Sequence, residues 1–345
     1  MSTAKILADQ QIRDCVDGGI IKFQTPLDGD QIQPASMDLR LGRTAYRLRA
    51  SFLPGQGVAV KSRLAAPLVM HQIDLSPGAV LETGCIYLVP LQETLNLPGN
   101  ICARTNPKSS TGRIDVFTRV ITDGATAFDT IAPGYNGGLW LEISPRTFSV
   151  LVRPGDRLAQ IRLRRDGDDE APMVPAATRS LDVSLALAAD TLVGYRAKRH
   201  AGVLDLRAIG GHDPRDYWEA LSPRAGQLIL DPGEFYILAS KEAICIPPGE
   251  AAEMAPIAPE IGEFRVHYAG FFDPGFGYDG AGGKGAKAVL EVRGRDVPFI
   301  LEDGQTVAKL VFEPMSQTPS ALYGAAGSNY QGQGLKLSKL FGVWA

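Results

Sequence analysis

The stretch Leu139-Trp-Leu-Glu-Ile143 decides the fold, because the similar stretch Ala288-Val-Leu-Glu-Val292 follows it 149 residues later. Both alternate apolar and polar residues, which is typical of β-strands. Gly84-Cys-Ile-Tyr87 returns in the same register as Gly233-Glu-Phe-Tyr236. Self-similarity at one fixed offset indicates that a single domain is present twice.

Turn signals such as Arg153-Pro-Gly-Asp156 separate the short alternating runs throughout the chain, and glycine (38) and proline (24) are plentiful. This pattern predicts an all-β fold with many short strands. A short N-terminal helix is expected from Asp9 to Asp17, with Asp9 as its N-cap and Gly18-Gly19 as its stop.

The charged and then Pro/Ala-rich segment from Arg164 to Thr178 is expected to connect the two copies. The predicted domains are therefore residues 1–170 and 171–345. A faint match of Leu204-Asp-Leu-Arg207 to Met37-Asp-Leu-Arg40 is expected to mark the start of the second copy.

The composition is that of a globular protein, with 345 residues, 45% hydrophobic, 21% charged and a formal net charge of −3. Such a charge gives no overall field for nucleic acid or an anionic membrane, so any phosphate needs a local cluster of donors. No apolar run approaches the ~20 residues of a membrane span. The N-terminal residues lack the apolar core of a signal peptide, and a cytoplasmic location is expected.

Zinc ligands are not indicated by the spacing of the four cysteines and four histidines. No two cysteines form a C-x-x-C pair, and no H-E-x-x-H or zinc-deaminase signature occurs. The sequence therefore predicts chemistry without a protein-bound zinc ion.

Lys108-Ser-Ser-Thr-Gly-Arg113 combines two hydroxyls, a glycine and two flanking cations. Hydroxyls, backbone N–H groups and cations together can cradle a phosphate. Arg104 and Arg119 are expected to add to the same positive region. The alternative is an ordinary surface turn with basic neighbours.

Asp273-Pro-Gly-Phe276 is followed, after a glycine-rich loop, by Val289-Leu-Glu291. If Glu291 faces a dry pocket, its proton affinity rises and it can shuttle protons. The alternative is a hairpin turn followed by a strand whose glutamate faces solvent.

The glycine-rich segment from Tyr323 to Gly334 is expected to close over a bound ligand. The apolar stretch Leu335 to Trp344 that follows is expected to anchor it.

Five motifs in this order resemble the dCTP deaminase family of the trimeric dUTPase superfamily. They are Gln33-Pro-Ala-Ser-Met-Asp-Leu-Arg-Leu-Gly42, Lys108-Ser-Ser-Thr-Gly-Arg113, Asp273-Pro-Gly-Phe276, Val289-Leu-Glu291 and Tyr330-Gln-Gly-Gln333-Gly. The resemblance implies two tandem distorted β-barrels of the dUTPase-like (β-clip) type, with sites between neighbouring barrels. It further implies zinc-independent deamination of dCTP to dUTP, Mg²⁺ bound through the triphosphate, and a homo-oligomer with three-fold barrel packing. dTTP is a possible regulator by the same resemblance.

The resemblance also implies residue roles. Glu291 is expected to activate the water and Ser109 to orient it, with no metal ligand from the protein. Lys108 stands where the family has an arginine, which keeps the charge but loses the bidentate geometry. The expected substrate-binding residues are Lys108, Ser109, Ser110, Arg113, Asp273, Val289, Tyr323 and Gln333.

Neither copy holds the complete set of motifs. In the first copy Ala132-Pro-Gly134 lacks the aspartate, although Glu142 remains; in the second copy Pro256 to Gly262 lacks serine, lysine and arginine. We therefore predict a composite site, in which the loop Lys108–Arg113 serves Asp273 and Glu291 across a domain interface. Glu142 is expected to be structural or vestigial.

Two other functions fit the same residues. In a dUTPase, or in an enzyme with both activities, Asp273 would activate the water and Glu291 would have no clear role. A nucleotide-binding regulatory protein is also possible, because each copy has lost half of its site. If Ser109 and Glu291 face one cavity, an enzyme is favoured; if they face separate spaces, the regulatory protein is favoured.

Overall fold

The structure is a computed structural model that describes residues 3–166, 174–175, 179–188, 191–223, 225–256, 264–267, 270–325, 328 and 330–344. The described residues form many short strands and few, short helices, so the predicted all-β class is confirmed. No helix in these ranges is long and apolar enough to cross a membrane.

The helices and strands follow one another along the whole chain. The first half contains β1 Thr3–Ile6, α1 Asp9–Asp17, β2 Ile21–Phe23, β3 Ile32–Gln33, β4 Ser36–Arg40, β5 Thr44–Leu48, β6 Val69–Asp74, β7 Ala79–Leu81, β8 Ile86–Asn96, β9 Ile101–Pro107, α2 Ser109–Gly112, β10 Val116–Thr122, β11 Thr130–Ile131, β12 Asn136–Pro145, β13 Val150–Val152 and β14 Arg157–Arg165. The second half contains β15 Val174–Pro175, β16 Arg179–Ser184, β17 Gly194–Ala197, β18 Leu204–Asp205, α3 Pro214–Tyr217, β19 Trp218–Leu221, β20 Gln227–Leu230, β21 Phe235–Ile244, β22 Glu250–Pro256, β23 Phe264–His267, β24 Phe271–Phe272, β25 Ala286–Gly294, β26 Phe299–Glu302 and β27 Thr306–Pro314. Two 3₁₀ turns cover Val60–Arg63 and Asp279–Ala281.

Helix α1 has the predicted bounds, but its N-cap is Ala8 rather than Asp9. The Gln11 side chain caps the helix by accepting a hydrogen bond from the Ala8 N–H at 3.0 Å. Asp9 instead accepts hydrogen bonds from the backbone N–H and hydroxyl of Ser320. The helix ends at Gly18, as expected.

The sheets of the first repeat recur in the second repeat with the same strand order. The order β10-β12-β8-β5-β6 returns as β23-β25-β21-β17-β19, and β11-β9-β14-β4 returns as β24-β22-β27-β16. The antiparallel strand pair β7–β13 corresponds to the antiparallel pair β20–β26. The topology therefore shows the internal repeat that the sequence offset indicated, whereas the exact division at residue 170 remains a prediction.

Strand registers give the matching positions. Glu142 lies opposite Leu88 on β8, and Glu291 lies opposite Ile237 on β21. Glu93 accepts hydrogen bonds from Arg40, and its counterpart Glu242 accepts them from Ser184.

The counterpart of Met37–Arg40 is therefore Leu181–Ser184 on β16, not Leu204–Arg207. Leu204 and Asp205 form the short strand β18 instead, which pairs with β13 of the first repeat. The faint sequence match was misleading because it compared a strand inside one sheet with a strand that crosses to the other repeat.

The larger apolar core lies mainly in the first repeat but also includes second-repeat residues such as Trp218 and Phe235, and a separate core fills the rest of the second repeat. Charged side chains join the repeats as well. Arg164 on β14 forms two hydrogen bonds with Glu313 on β27, at 3.1 and 2.6 Å, and both side chains are almost completely buried. Ile6 and Met315 belong to a small apolar cluster at this junction. The connector thus starts later than expected, because β14 includes Arg164; most of the rest, 167–173 and 176–178, lies outside the described residues.

The Arg164–Glu313 pair gives a prediction about stability. Arg164→Leu leaves the Glu313 carboxylate buried without its partner, so the free energy of unfolding should fall by about 3–5 kcal/mol. Urea denaturation measures this value. The double variant Arg164→Leu/Glu313→Leu removes both charges and should recover most of the loss.

The exposed Arg215–Asp213 pair provides the control, and Arg215→Ala should leave the unfolding midpoint nearly unchanged. A double variant as unstable as Arg164→Leu would show that the buried charge is not the cause.

Candidate active site

A cavity of about 470 Å³ opens between the two repeats, and every residue predicted for the site lines it. The lining includes Lys108, Ser109, Ser110 and Arg113 from the first repeat, and Asp273, Val289, Glu291, Tyr323 and Gln333 from the second. A volume of this size is within the range of small-molecule sites. Ser109 and Glu291, which the sequence separates by more than half of the chain, thus face one space.

The Lys108–Arg113 loop forms the short helix α2, with Lys108 at its N-cap. The Lys108 carbonyl accepts hydrogen bonds from the N–H groups of Thr111 and Gly112. The first N–H groups of a helical turn have no partners within the turn, so they and the hydroxyls of Ser109 and Ser110 can serve an anion.

Glu291 lies on β25 with a side chain that is 7% exposed. Its ion-pair contact within the described residues is with Arg113 Nε at 3.9 Å. Burial raises the pKa of Glu291 to about 8, while the positive charge of Arg113 acts in the opposite direction. A carboxyl group with this pKa can both donate and accept a proton near neutral pH.

Glu142, the counterpart of Glu291 on β12, has a different environment. The Arg119 guanidinium donates to the same Glu142 oxygen from Nε at 3.0 Å and from a terminal nitrogen at 2.6 Å, and it stacks over the Phe128 ring. Arg119 and Arg104 line a separate, smaller pocket of about 240 Å³. They therefore do not add charge to the Lys108–Arg113 loop, contrary to the expectation from sequence.

Asp273 connects the repeats inside the cavity. Its carboxylate accepts a hydrogen bond from Arg162 of β14 at 2.9 Å and one from the Ser36 hydroxyl at 3.4 Å. Burial raises the pKa of Asp273, and the adjacent Arg162 opposes this effect. The turn that follows needs Gly275, because its φ is +98° and a Cβ there would lie 2.7 Å from Leu322 Cβ.

The C-terminal segment is docked onto both repeats. Gln331 donates to the carbonyls of Gly275, Ala281 and Tyr323 and accepts from the Gly277 N–H. Burial raises the pKa of Tyr323 to about 12. Residues 326, 327 and 329 of the predicted closing segment lie outside the described residues.

Arg113 fixes the same segment from the side of the first repeat. Its guanidinium donates to Gln333 Oε1 and to the Lys336 carbonyl, both at 3.0 Å, and lies 4.0 Å from the centroid of the Tyr330 ring. The following residues Leu337, Leu340 and Phe341 are buried in the core, so the predicted anchor is confirmed.

Charged side chains form the wall of the cavity next to Lys108. Lys108 forms an ion pair with Asp38, and Arg157 reaches Asp38 as well at 3.5 Å. The Oδ1 atom of Asp38 is buried and has no hydrogen-bond partner among the described residues. Lys339 lines the same wall.

Sequence reasoning missed Arg162 and Lys339, and it assigned no role to Gln331 although this residue lies in the motif Tyr330-Gln-Gly-Gln333-Gly. Arg162 alternates with the apolar residues of β14, a pattern that a strand with one solvent-facing side would also give. Lys339 could have been noticed more easily, since a lysine inside the apolar stretch 335–344 needs polar groups around its ammonium.

Among the described residues no group of three potential metal ligands is found.

Comparison with known proteins places this site in a family. The model of the 2'-deoxycytidine 5'-triphosphate deaminase N-terminal domain matches residues 3–167, and the model of the C-terminal domain of that family matches residues 157–341. A crystal structure of 2'-deoxycytidine 5'-triphosphate deaminase from Agrobacterium tumefaciens superimposes with a TM-score of 0.84. The two chains are 51% identical, and the matched region covers 91% of this chain and 99% of that chain.

Shorter relatives match about half of this chain. A protein from Thermobifida fusca named "dCTP deaminase, dUMP-forming" is 31% identical over 157 residues, which are 45% of this chain and 76% of that protein. The protein of the same name from Streptomyces coelicolor is 29% identical over 161 residues, or 46% of this chain and 80% of that protein. From the two matching domain models and the structural similarity over nearly the full length, the chain belongs to the 2'-deoxycytidine 5'-triphosphate deaminase family.

Proposed function

We propose that this protein hydrolyses dCTP to dUTP and ammonia in the cavity between its repeats. The observation that carries the proposal is the position of Glu291, a buried carboxyl group with a raised pKa, in the same cavity as the Lys108–Arg113 loop. Glu142 lacks this environment because Arg119 neutralises it. Of these two counterpart glutamates, Glu291 is therefore the one whose surroundings suit the reaction.

The reaction requires proton transfers that one carboxylate can perform in sequence. Ionised Glu291 accepts a proton from water as the water oxygen attacks C4 of cytosine, and it passes this proton to N3. It then takes the second proton of the former water and delivers it to the departing amine. The C4–N bond breaks, C4 keeps the oxygen, and ammonia leaves.

Orientation of the water falls to the Lys108–Arg113 loop in this proposal. The Ser109 hydroxyl is the candidate for holding the water, Arg113 beside Glu291 helps to orient it, and Ser110 binds phosphate. Val289, Asp273, Tyr323 and Gln333 line the space for base and sugar. Fixed dipoles in a site that excludes bulk water stabilise developing charge more than water does.

We propose that the site is composite, built from two dUTPase-like barrels of the β-clip type at residues 1–170 and 171–345. Support comes from the repeated sheet order and from the contact of Asp273 with Arg162 and Ser36 across the repeats. Homo-oligomerisation through three-fold barrel packing and control by dTTP remain proposals from family resemblance. A cytoplasmic location follows from the substrate, which is an intracellular nucleotide.

We propose that Mg²⁺ enters with the triphosphate and that the reaction needs no zinc. The oxygens of the triphosphate would hold this ion, since Mg²⁺ prefers oxygen ligands and the described residues contain no group of three metal ligands that would hold it without the nucleotide. Bound Mg²⁺ would neutralise part of the triphosphate charge.

A second candidate is the combined reaction in which dUTP is hydrolysed further to dUMP. The names of the shorter relatives favour it. Chromatography of the products formed from Mg–dCTP separates the cases: dUTP with ammonia indicates the deaminase, and dUMP with pyrophosphate indicates the combined reaction.

Glu291→Gln gives the first test of the mechanism. The amide cannot accept the proton of water, so kcat for ammonia release should fall by at least about 10³-fold. Binding of dCTP, measured by calorimetry, should persist because the loop and the tail are unchanged.

The matched control is Glu142→Gln, which alters the same position of the other repeat. It should retain kcat within about three-fold at temperatures where the variant is folded. Equal losses in both variants, or substantial turnover by Glu291→Gln, would refute the role of Glu291.

The raised pKa of Glu291 predicts the pH dependence of the reaction. A base must be ionised, and burial moves the pKa of this carboxyl from its usual acidic range to about 8. Hence kcat/KM for dCTP should rise as the pH increases from 6 through 8 and level off only above about pH 9. A stopped assay of ammonia release across this range measures the profile, and activity that is already maximal at pH 6 would contradict the assignment.

A further inference from the structure

Lys339 faces the cavity although it lies outside all five motifs of the sequence comparison. Its side chain is half-buried and lines the wall that also contains Lys108 and Arg157. The neighbouring Asp30 side chain is 82% exposed, so this wall lies at the mouth of the cavity. Glu291, with 7% exposure, lies in a part of the same cavity that is closed to solvent.

Of the three cations at the mouth of the cavity, two form ion pairs with carboxylates of the described residues and the third does not. Lys108 pairs with Asp38, and Arg157 pairs with Asp28 at 2.6 Å and with Asp30 at 2.8 Å. For the Lys339 ammonium no carboxylate lies within 4.0 Å in the part of the chain that the structure describes. A cation in this position, next to two other cations, is poised for an anion.

The backbone holds Lys339 firmly in this place. Its N–H donates to the Tyr330 hydroxyl at 3.2 Å, and its carbonyl accepts from the Gly210 N–H at 3.0 Å. The preceding Ser338 hydroxyl donates to the Ser110 carbonyl at 3.0 Å, which ties the segment to the Lys108–Arg113 loop. The backbone of Lys339 is therefore a fixed part of the wall and does not belong to a loose tail.

We propose that Lys339 binds the terminal phosphate of the nucleotide and thereby selects triphosphates over diphosphates. This inference rests on the proposed function, in which the cytosine lies at Glu291. A nucleotide placed that way extends its phosphates past the Lys108–Arg113 loop toward the mouth, where the last phosphate meets Lys339. Lys339 is thus a specificity-determining residue and takes no part in the proton transfers.

Electrostatics supports this assignment. Burial and the positive charges of Lys108 and Arg157 lower the pKa of Lys339, and the carboxylates of Asp38 and Asp30 offset only part of this effect. A phosphate that carries about two negative charges relieves this repulsion and stabilises the charged ammonium. Charge-assisted hydrogen bonds of this kind change affinity by about 10- to 100-fold.

The test compares Lys339→Met with wild type on Mg–dCTP and Mg–dCDP. Methionine keeps the unbranched stem and removes the charge, so packing is largely preserved. We expect KM and Kd for dCTP to rise about 10- to 100-fold, kcat to stay within about three-fold, and Kd for dCDP to change by less than about three-fold. Lys339→Arg should recover most of the affinity for dCTP, and Lys309→Met, at an exposed lysine outside the cavity, should behave as wild type.

Equal weakening of dCTP and dCDP binding, or no weakening of either, would overturn the assignment. Thermal unfolding of Lys339→Met identifies a folding defect, and in that case Lys339→Gln replaces it in the same comparison. Calorimetric binding is measured separately from turnover. If the wild type binds dCTP without releasing ammonia, the proposed activity is wrong, yet the dCTP-to-dCDP comparison still decides the role of Lys339.

Discussion

The completely buried guanidinium of Arg162 is the constraint on which the rest of the site depends. A buried cation is tolerated only with a close partner, and its partner is Asp273 on the other repeat. The same group donates to the carbonyls of Ala252 and Phe272 and stacks over the Phe271 ring. Separation of the repeats would therefore expose Asp273 and dismantle one wall of the cavity at the same time.

Around this fixed junction, the two repeats contribute complementary parts. The first supplies the Lys108–Arg113 loop, and the second supplies Glu291 and the C-terminal segment. Arg113 connects these parts, since it contacts Glu291, Gln333 and Tyr330 at once. Burial by both repeats, and not any single charged neighbour, raises the pKa of Glu291.

The fold class and the residues of the cavity could be predicted from the sequence because they depend on strand alternation and on local motifs. Ala132-Pro-Gly134 has no aspartate, and the segment near Pro256 has no cations, which indicated the motif that each repeat lacks. Residues 257–262 of the second segment lie outside the described residues. Arg162 and Lys339 could not be found in this way, because their surroundings come from segments that are distant in sequence. For the same reason Arg119 was misplaced: its partner Glu142 lies on a neighbouring strand, which the spacing does not reveal.

Arg164 and Glu313 occupy counterpart positions of the two repeats and nevertheless carry opposite charges. In an assembly of identical single repeats, the two positions would hold the same residue, and like charges would meet wherever counterparts touch. In one chain that contains both repeats, the counterpart positions can differ, and here they carry opposite charges. At this contact the two halves are therefore complementary rather than identical, and a pair of identical copies of either half could not form the same ion pair.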